Sequence, residues 1–289
     1  PRLLYIKTTV RGIILPVCRK EQEEKDMVTI DRELCIGCGA CVKDCPGHAI
    51  EIKEEKAEAV RPCIQCGHCV AICPVRAVAI PEYDMEDVEE YEPDTFRISP
   101  ENYLHAVKFR RSIRNFKEKP LEKEKLDRIL SAGRYTATAK NAQACTFVVV
   151  QERLEEFKKL FWEELPEILE NLKEHAPAYV SPFRYFYHLW KRNPKDDTFF
   201  FNSPCFLMIA AENPLDGGLA AANMENQAVA EGAGVLYSGY LAGALSASPR
   251  LREWLGTGEK RIVCCMLAGY PAVSYRRTAP RRQADVIWK

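Results

Sequence analysis

The chain has 289 residues, 47% hydrophobic and 28% charged, a composition that suits about two globular domains. Its 41 Lys and Arg balance 41 Asp and Glu, so no net charge argues for nucleic acid or a membrane surface. Thirteen cysteines would suit a disulfide framework in a secreted protein. Residues 1–20 show no secretory signal, however, so the cysteines are expected to ligate metal in a reducing compartment, with the cytoplasm the expected location.

Residues 1–27 form an N-terminal extension to which the sequence assigns no role, and Cys18 within it has none either. The phrase MVTIDRELC reads as the start of a small domain spanning 28–82. Inside it one phrase occurs twice, CIGCGACVKDCPGHAIEI at 35–52 and CIQCGHCVAICPVRAVAI at 63–80, displaced by 28 positions. Each copy is C-x2-C-x2-C-x3-C-P. Three thiolates at spacing three on a tight loop can wrap one face of a cubic iron–sulfur cluster, while the fourth, before proline, ligates the other cluster of a pair. On that rule Cys35, Cys38, Cys41 and Cys73 hold one cluster, and Cys63, Cys66, Cys69 and Cys45 hold the second. Gly39 and Gly67 allow the backbone to turn closely around the sulfides. Zinc is the competing reading, but zinc favours two C-x2-C pairs and a longer spacer. The segments AIEI and AVAI read as short strands. His48 and His68 read as surface histidines, with tuning of a cluster by His68 as the alternative. This stretch resembles the bacterial two-cluster [4Fe–4S] ferredoxins.

Residues 83–98, with seven acidic residues from Asp84 to Asp94 directly after Glu82, read as a solvated linker. A second domain is expected over 99–289. Ser99 as N-cap and Pro100 at the first position predict a helix whose Tyr103, Leu104 and Val107, with Ile113 beyond, form a partly buried face. PLEKEKLDRILSAG predicts a second helix ending near Gly133, and EEFKKLFWEELPEILENLKEH a third, broken at Pro166. CTFVVVQ, CFLMIAA and RIVCCMLAGYP read as apolar strands, and GGLAAANMENQAVAEGAG as a small-residue helix. The aromatic run around Phe183, Tyr185, Phe186, Tyr187 and Trp190 suits either core packing or a lid, with His188 and Lys191 as the nearest proton or anion handles. Cys145, Cys205, Cys264 and Cys265 read as inert core thiols. The fold class expected is α+β: a small ferredoxin-type two-cluster domain followed by an α+β sheet domain.

Arg110, Arg111, Ser112 and Arg114 supply forked, permanently charged donors suited to a phosphate or a pyrimidine carbonyl. With the N-x-Q loop at Asn141 and Gln143, the glycine-rich GAGVLYSGYLAGAL and the G-Y-P turn, the run 99–289 resembles the nitroreductase-like flavoproteins. The resemblance implies a homodimer binding FMN at its interface. It implies that Arg110, Arg111, Ser112 and Arg114 hold the phosphate, ribityl chain and pyrimidine, that Asn141 contacts the ring, with Gln143 a further cofactor-binding residue of the same loop, and that Arg281 or Arg282, with Arg277 less favoured, contacts the phosphate. The chain departs from the family at NAQAC, where Ala144 and Cys145 replace a Pro-Trp pair, and at Thr136–Ala137. Flavin N5 is the expected reacting atom, and Ser238, beside Gly239, is the candidate to donate a hydrogen bond to it.

Clusters move single electrons and flavin handles one or two. The expectation is therefore an enzyme carrying electrons from a ferredoxin-like donor or NAD(P)H through two [4Fe–4S] clusters to FMN and on to a nitroaromatic, quinone or similar acceptor. The alternatives are a non-catalytic carrier or sensor docking a partner protein, and an NAD(P)H-oxidising flavin that sends electrons outward.

Overall fold

A computed structural model describes residues 9–10, 13–14, 27–195 and 197–289. Most of the 1–27 extension, Cys18 included, lies outside the described residues. The chain divides into two compact units: Pro1–Phe96 with Lys140–Ala142, and Arg97–Ala139 with Gln143–Lys289.

The first unit contains β1 (Thr9–Val10), β2 (Ile13–Ile14), β3 (Thr29–Ile30), α1 (Ala40–Asp44), β4 (Ile50–Lys53), β5 (Lys56–Ala59), α2 (His68–Ile72), β6 (Val78–Ala79) and α3 (Pro93–Phe96). The strands pair antiparallel as β1–β2, β3–β6 and β4–β5. The 28-residue repeat is carried into the backbone. Gly39 and Gly67, at φ 72° and 78°, start the five-residue helices α1 and α2. Four residues after the last cysteine of each copy, Ala49 and Ala77 donate N–H groups to Cys45 and Cys73 Sγ at 3.3 and 3.2 Å. Positive φ recurs at the paired positions His48 and Arg76, and Gly37 and Gln65. The two copies differ at that last pair, since a Cβ at Gly37 would run into the carbonyl oxygen of Glu55. A small core of Val28, Ile50, Ala57, Ala77, Val78 and Ile80 surrounds Cys35, Cys41 and Cys69. The acidic stretch is not featureless: Asp84 caps a short 3₁₀ turn, Met85–Asp87, and Glu90 pairs with Arg76 at 2.6 Å.

The second unit contains α4 (Pro100–Phe109), α5 (Lys123–Arg134), β7 (Thr146–Val150), α6 (Leu154–His175), α7 (Val180–Arg192), β8 (Cys205–Ala211), α8 (Pro214–Ala230), β9 (Gly234–Tyr237), α9 (Gly239–Ala247), α10 (Pro249–Leu255) and β10 (Arg261–Gly269). Its four strands form an antiparallel sheet in the order β7-β8-β10-β9. Side chains alternate across a strand, and β8 sends Phe206 and Met208 to one core, Cys205, Leu207 and Ile209 to the other. The first core packs against α6, α7, α9 and α10 through Phe157, Phe161, Leu165, Ile168, Phe183 and Leu245. The second packs against α5 and α8 through Ile129, Ala221, Met224 and Ala228. Helices thus cover both faces of one sheet, an α+β architecture.

Two expectations are corrected and an open one is decided. Pro166 does not break its helix; α6 runs unbroken from Leu154 to His175. Phe161, Trp162 and Leu165 before the proline and Ile168, Leu169 and Leu172 after it are buried, and burial of that face outweighs a missing N–H. The face of α4 is not buried in this chain: Tyr103, Leu104 and Val107 are 48%, 50% and 40% exposed, and only Ile113, past the helix, is buried. Both faces of the sheet are already filled by other helices. The aromatic run is chiefly core: Phe183, Phe199 and Phe200 are buried, with Phe186, Tyr187 and Trp190 packed against them, while Tyr185 is exposed.

Candidate functional site

Each copy of the cysteine phrase curls because glycine opens a short helix and a positive-φ residue precedes its second cysteine. The result gathers Cys35, Cys38 and Cys41 from one copy and Cys73 from the other around a single cavity, walled by Ile30, Ala57, Val75 and Val78. Cys63, Cys66 and Cys69 lie within electrostatic reach of one another. Cys45 ends α1, which packs against α2. Backbone N–H groups point at the sulfurs, from Ala57 to Cys35 at 3.4 Å and from Gln65 to Cys63 at 3.4 Å. The Ala57 and Gly37 N–H groups hold the Cys35 thiol below its ordinary range, whereas burial pushes the Cys69 thiol up to about 11. Apolar walls, inward sulfurs and amide donors to those sulfurs are what a cluster requires. Among the described residues no three His, Cys, Asp or Glu side chains converge tightly enough for one metal ion. The ligands of a cubic cluster bind separate irons and stand further apart. His68 Nδ1 lies 3.4 Å from Asp44 on an exposed surface, the environment of a solvated histidine.

In the second unit the arginine run leaves the end of α4 and joins the edge of the sheet. Ser112 bridges Val235 in parallel, and Ile113 N–H donates to the Val235 carbonyl at 3.0 Å. This approach needs a residue without a side chain at Gly234, where a Cβ would meet Ile113. Ser112 thus sits beside β9, which ends at Tyr237 and leads directly into Ser238 and Gly239. Ser238 caps α9: its hydroxyl accepts the Leu241 N–H at 3.2 Å and retains its own proton to donate elsewhere. The first N–H groups of α9 have no partner inside the helix and carry the positive end of its dipole.

Of the run, Arg110 is held by Glu225, buried on α8, at 2.9 Å. Arg111 stacks on Tyr275 at 5.0 Å, where the segment after β10 runs alongside residues 115–117 through Lys117 N–H to Tyr270 O and Ala272 N–H to Asn115 O. Arg114 is exposed. Glu225 and Tyr275 are partners the sequence did not single out; the one signal for Glu225 was a lone acid in the middle of a small-residue helix. Gln143 has φ 48° and its N–H donates to Thr138 Oγ1 at 2.9 Å. Asn141 belongs to the first unit, where its side-chain amide donates to the carbonyls of Ile64 and Gln65 at 3.0 and 2.9 Å. Arg281 and Arg282 lie exposed in the C-terminal segment, Arg281 donating to the Pro280 carbonyl, and Arg277 is likewise exposed. Arg110 and Arg111, the Ser238 hydroxyl and the first turn of α9 are groups of the kind that a flavin mononucleotide takes: cations, a hydroxyl donor and a helix N-terminus.

Fold and donor set together define an iron–sulfur protein with a helix-covered antiparallel sheet. The chain belongs to the nitroreductase family, whose model matches residues 107–270, and a 4Fe–4S dicluster domain model matches residues 27–74 ahead of it. It is thereby an iron–sulfur flavoprotein oxidoreductase. Among solved structures, an FMN-bound nitroreductase from Bacteroides fragilis has 18% identity and a TM-score of 0.51, over 64% of this chain and 98% of that one, a likeness of fold. An FMN-bound nitroreductase from Desulfitobacterium hafniense has 21% identity and a TM-score of 0.48, over 64% and 98%. An FMN-dependent nitroreductase from Clostridium difficile has 18% identity and a TM-score of 0.48, over 65% and 100%. No curated protein matches the chain. Among the described residues no helix is long and apolar enough to cross a membrane.

Proposed function

We propose that this chain is a cytoplasmic, homodimeric reductase of electron-poor organic compounds such as nitroaromatics or quinones, fed by an external low-potential donor of the ferredoxin kind. The observation that carries the reading is the convergence of Cys35, Cys38, Cys41 and Cys73, from both copies of the repeat, on one cavity. Its domains are the 28–82 cluster module, the acidic segment 83–98 and the 99–289 flavin domain. When bound, [4Fe–4S] clusters supply one-electron transfer and FMN converts between single-electron and hydride chemistry.

The residues have distinct tasks. Cys35, Cys38, Cys41 and Cys73 hold one cluster and Cys63, Cys66, Cys69 and Cys45 the other. The Cys69 thiol, raised to about 11 by burial, must surrender its proton as iron binds. Arg111 and Arg114 meet the phosphate and ribityl oxygens, with Arg281 or Arg282 closing on the phosphate. Arg110 is oriented by Glu225. Ser238 holds a proton toward flavin N5 while its oxygen remains engaged by the Leu241 N–H. Dimerisation is supported by the apolar surface that one chain leaves open: Tyr103, Leu104, Val107 and Phe109 on α4, and Ile287 and Trp288 at 80% and 91% exposure. A nicotinamide donor, an outward flow of electrons and a carrier role without turnover are the outcomes that would replace this reading.

The test is anaerobic purification with iron, sulfide and flavin quantified together, then separate mixing with NADH, NADPH and reduced ferredoxin before a screen of acceptors. The reading expects two clusters and one FMN per chain, fast reduction by ferredoxin and turnover of small acceptors. A chain lacking flavin, or one reduced only by a nicotinamide, overturns it.

A further inference from the structure

The Cys63–Cys66 loop carries an arrangement that neither the repeat nor the family resemblance accounts for. The peptide group joining Ile64 and Gln65 is engaged at both ends. Its N–H, on Gln65, donates to Cys63 Sγ at 3.4 Å, and its carbonyl, on Ile64, accepts from Asn141 Nδ2 at 3.0 Å. The other amide hydrogen of Asn141 reaches the next carbonyl, that of Gln65, at 2.9 Å, and Tyr83 Oη lies 3.4 Å from the same nitrogen. All of these groups belong to the first unit. The backbone is held in an uncommon state to achieve this: Lys140 and Asn141 both have φ 53°, and Gln65 has φ 49°. Non-glycine residues in that region are uncommon, and they cluster where the surrounding structure imposes the conformation for a purpose.

We propose that Asn141 is a positioning residue that tunes the cluster held by the Cys63 block, acting through the Ile64–Gln65 peptide on the Cys63 sulfur. A donor at a carbonyl polarises the whole peptide and makes its N–H a stronger donor, as in any chain of hydrogen bonds. A stronger N–H bond to a ligating thiolate draws off negative charge and favours the reduced cluster, so the potential rises. The amide therefore sets this cluster at a higher potential than its ligands alone would give. The equivalent loop of the first copy has Gly37 where the second has Gln65, and provides the internal control.

The inference rests on the reading that Cys63, Cys66, Cys69 and Cys45 hold a cluster. It is tested on the anaerobically purified full chain by redox titration followed by electron paramagnetic resonance, with iron, sulfide and flavin measured alongside. Asn141→Gly keeps the positive φ and removes both donors. Asn141→Asp keeps the shape and replaces donors by a charged acceptor. Both variants are expected to retain full iron and to lower the potential of one cluster while the other stays fixed, Asp more than Gly. Equal potentials in wild type and both variants, a shift of both clusters together, or loss of iron in place of a shift overturns the inference while leaving the cluster assignment standing. A wild-type chain with no cluster on the second block overturns both.

Discussion

At Ser238 one side chain serves the fold and the chemistry at once. Its oxygen accepts the Leu241 N–H at the start of α9, and loss of such a cap costs about 1 kcal/mol. Ser238→Ala is therefore expected to lower stability by about that amount in denaturant titration and also to change the one-electron population of the flavin in an anaerobic redox titration. Ser238→Thr should restore both. If stability alone moves, the hydroxyl is a cap and the N5 assignment falls. The core thiols of Cys205 and Cys265 behave in the opposite way, since solvent does not reach them. Burial pushes the Cys205 thiol up to about 12 and that of Cys265 well above its ordinary value. A raised thiol stays neutral below its folded pKa, and the thiolate is the nucleophile. At pH 8 neither should react with iodoacetamide in the folded protein, and both should react in guanidinium, as peptide mass spectrometry would reveal. Modification of Cys205 in the native state would mean that β8 opens locally.

Among the elements, the strands were legible because short apolar β-rich runs have few alternatives; TFVVV, CFLMIAA and RIVCCMLAG became β7, β8 and β10. Helix α4 was legible from its cap, Ser99 accepting the Asn102 N–H as its position before Pro100 implies, and α5 from the run PLEKEKLDRILSAG, without a capping side chain. The cluster cradle was legible for a different reason, since ligand spacing reports loop geometry directly. What was not legible depended on distant partners. A periodic apolar face on α4 says that burial is available, not which surface supplies it. In the 179–201 run aromatics are too frequent for their spacing to single out a face, so α7 and its packing against Phe161 and Phe199 emerge only in three dimensions. At Pro166 the local rule was sound but outweighed. An interior proline costs about 3 kcal/mol, less than the combined burial of Phe161, Trp162, Leu165 and Ile168 at about 1.5–3 kcal/mol each. Pro166 itself is exposed, so Pro166→Ala restores a backbone donor without disturbing the core. It is expected to stabilise the chain by up to about 3 kcal/mol in denaturant titration. Destabilisation would show that the proline fits a bend that α6 needs. By contrast Phe157→Ala, at a residue with no exposed surface stacked on Phe206, should cost about 3–5 kcal/mol.

Across the whole molecule the two units differ in what holds them together. The second has cores on both faces of a four-stranded sheet, with fully buried Phe157, Phe161, Phe183, Phe200 and Phe206 in one of them. The first has, among the described residues, strands of two to four residues and a core of nine buried side chains, three of which are cysteines. A core of that size does not meet the entropy of ordering its own chain, and small domains of this kind draw stability from metal or disulfides. Its thiols reinforce the point: burial raises Cys41 and Cys69, so without iron they sit in that small core as neutral groups. Metal binding that exists only in the folded state adds directly to folding stability. Calorimetry of the anaerobic, fully loaded chain should therefore show a transition for the first unit that vanishes when iron is stripped by a chelator, while the transition of the second unit and its helical circular dichroism persist. A single transition unmoved by iron removal would mean that the cysteine module is stable through its apolar contacts alone.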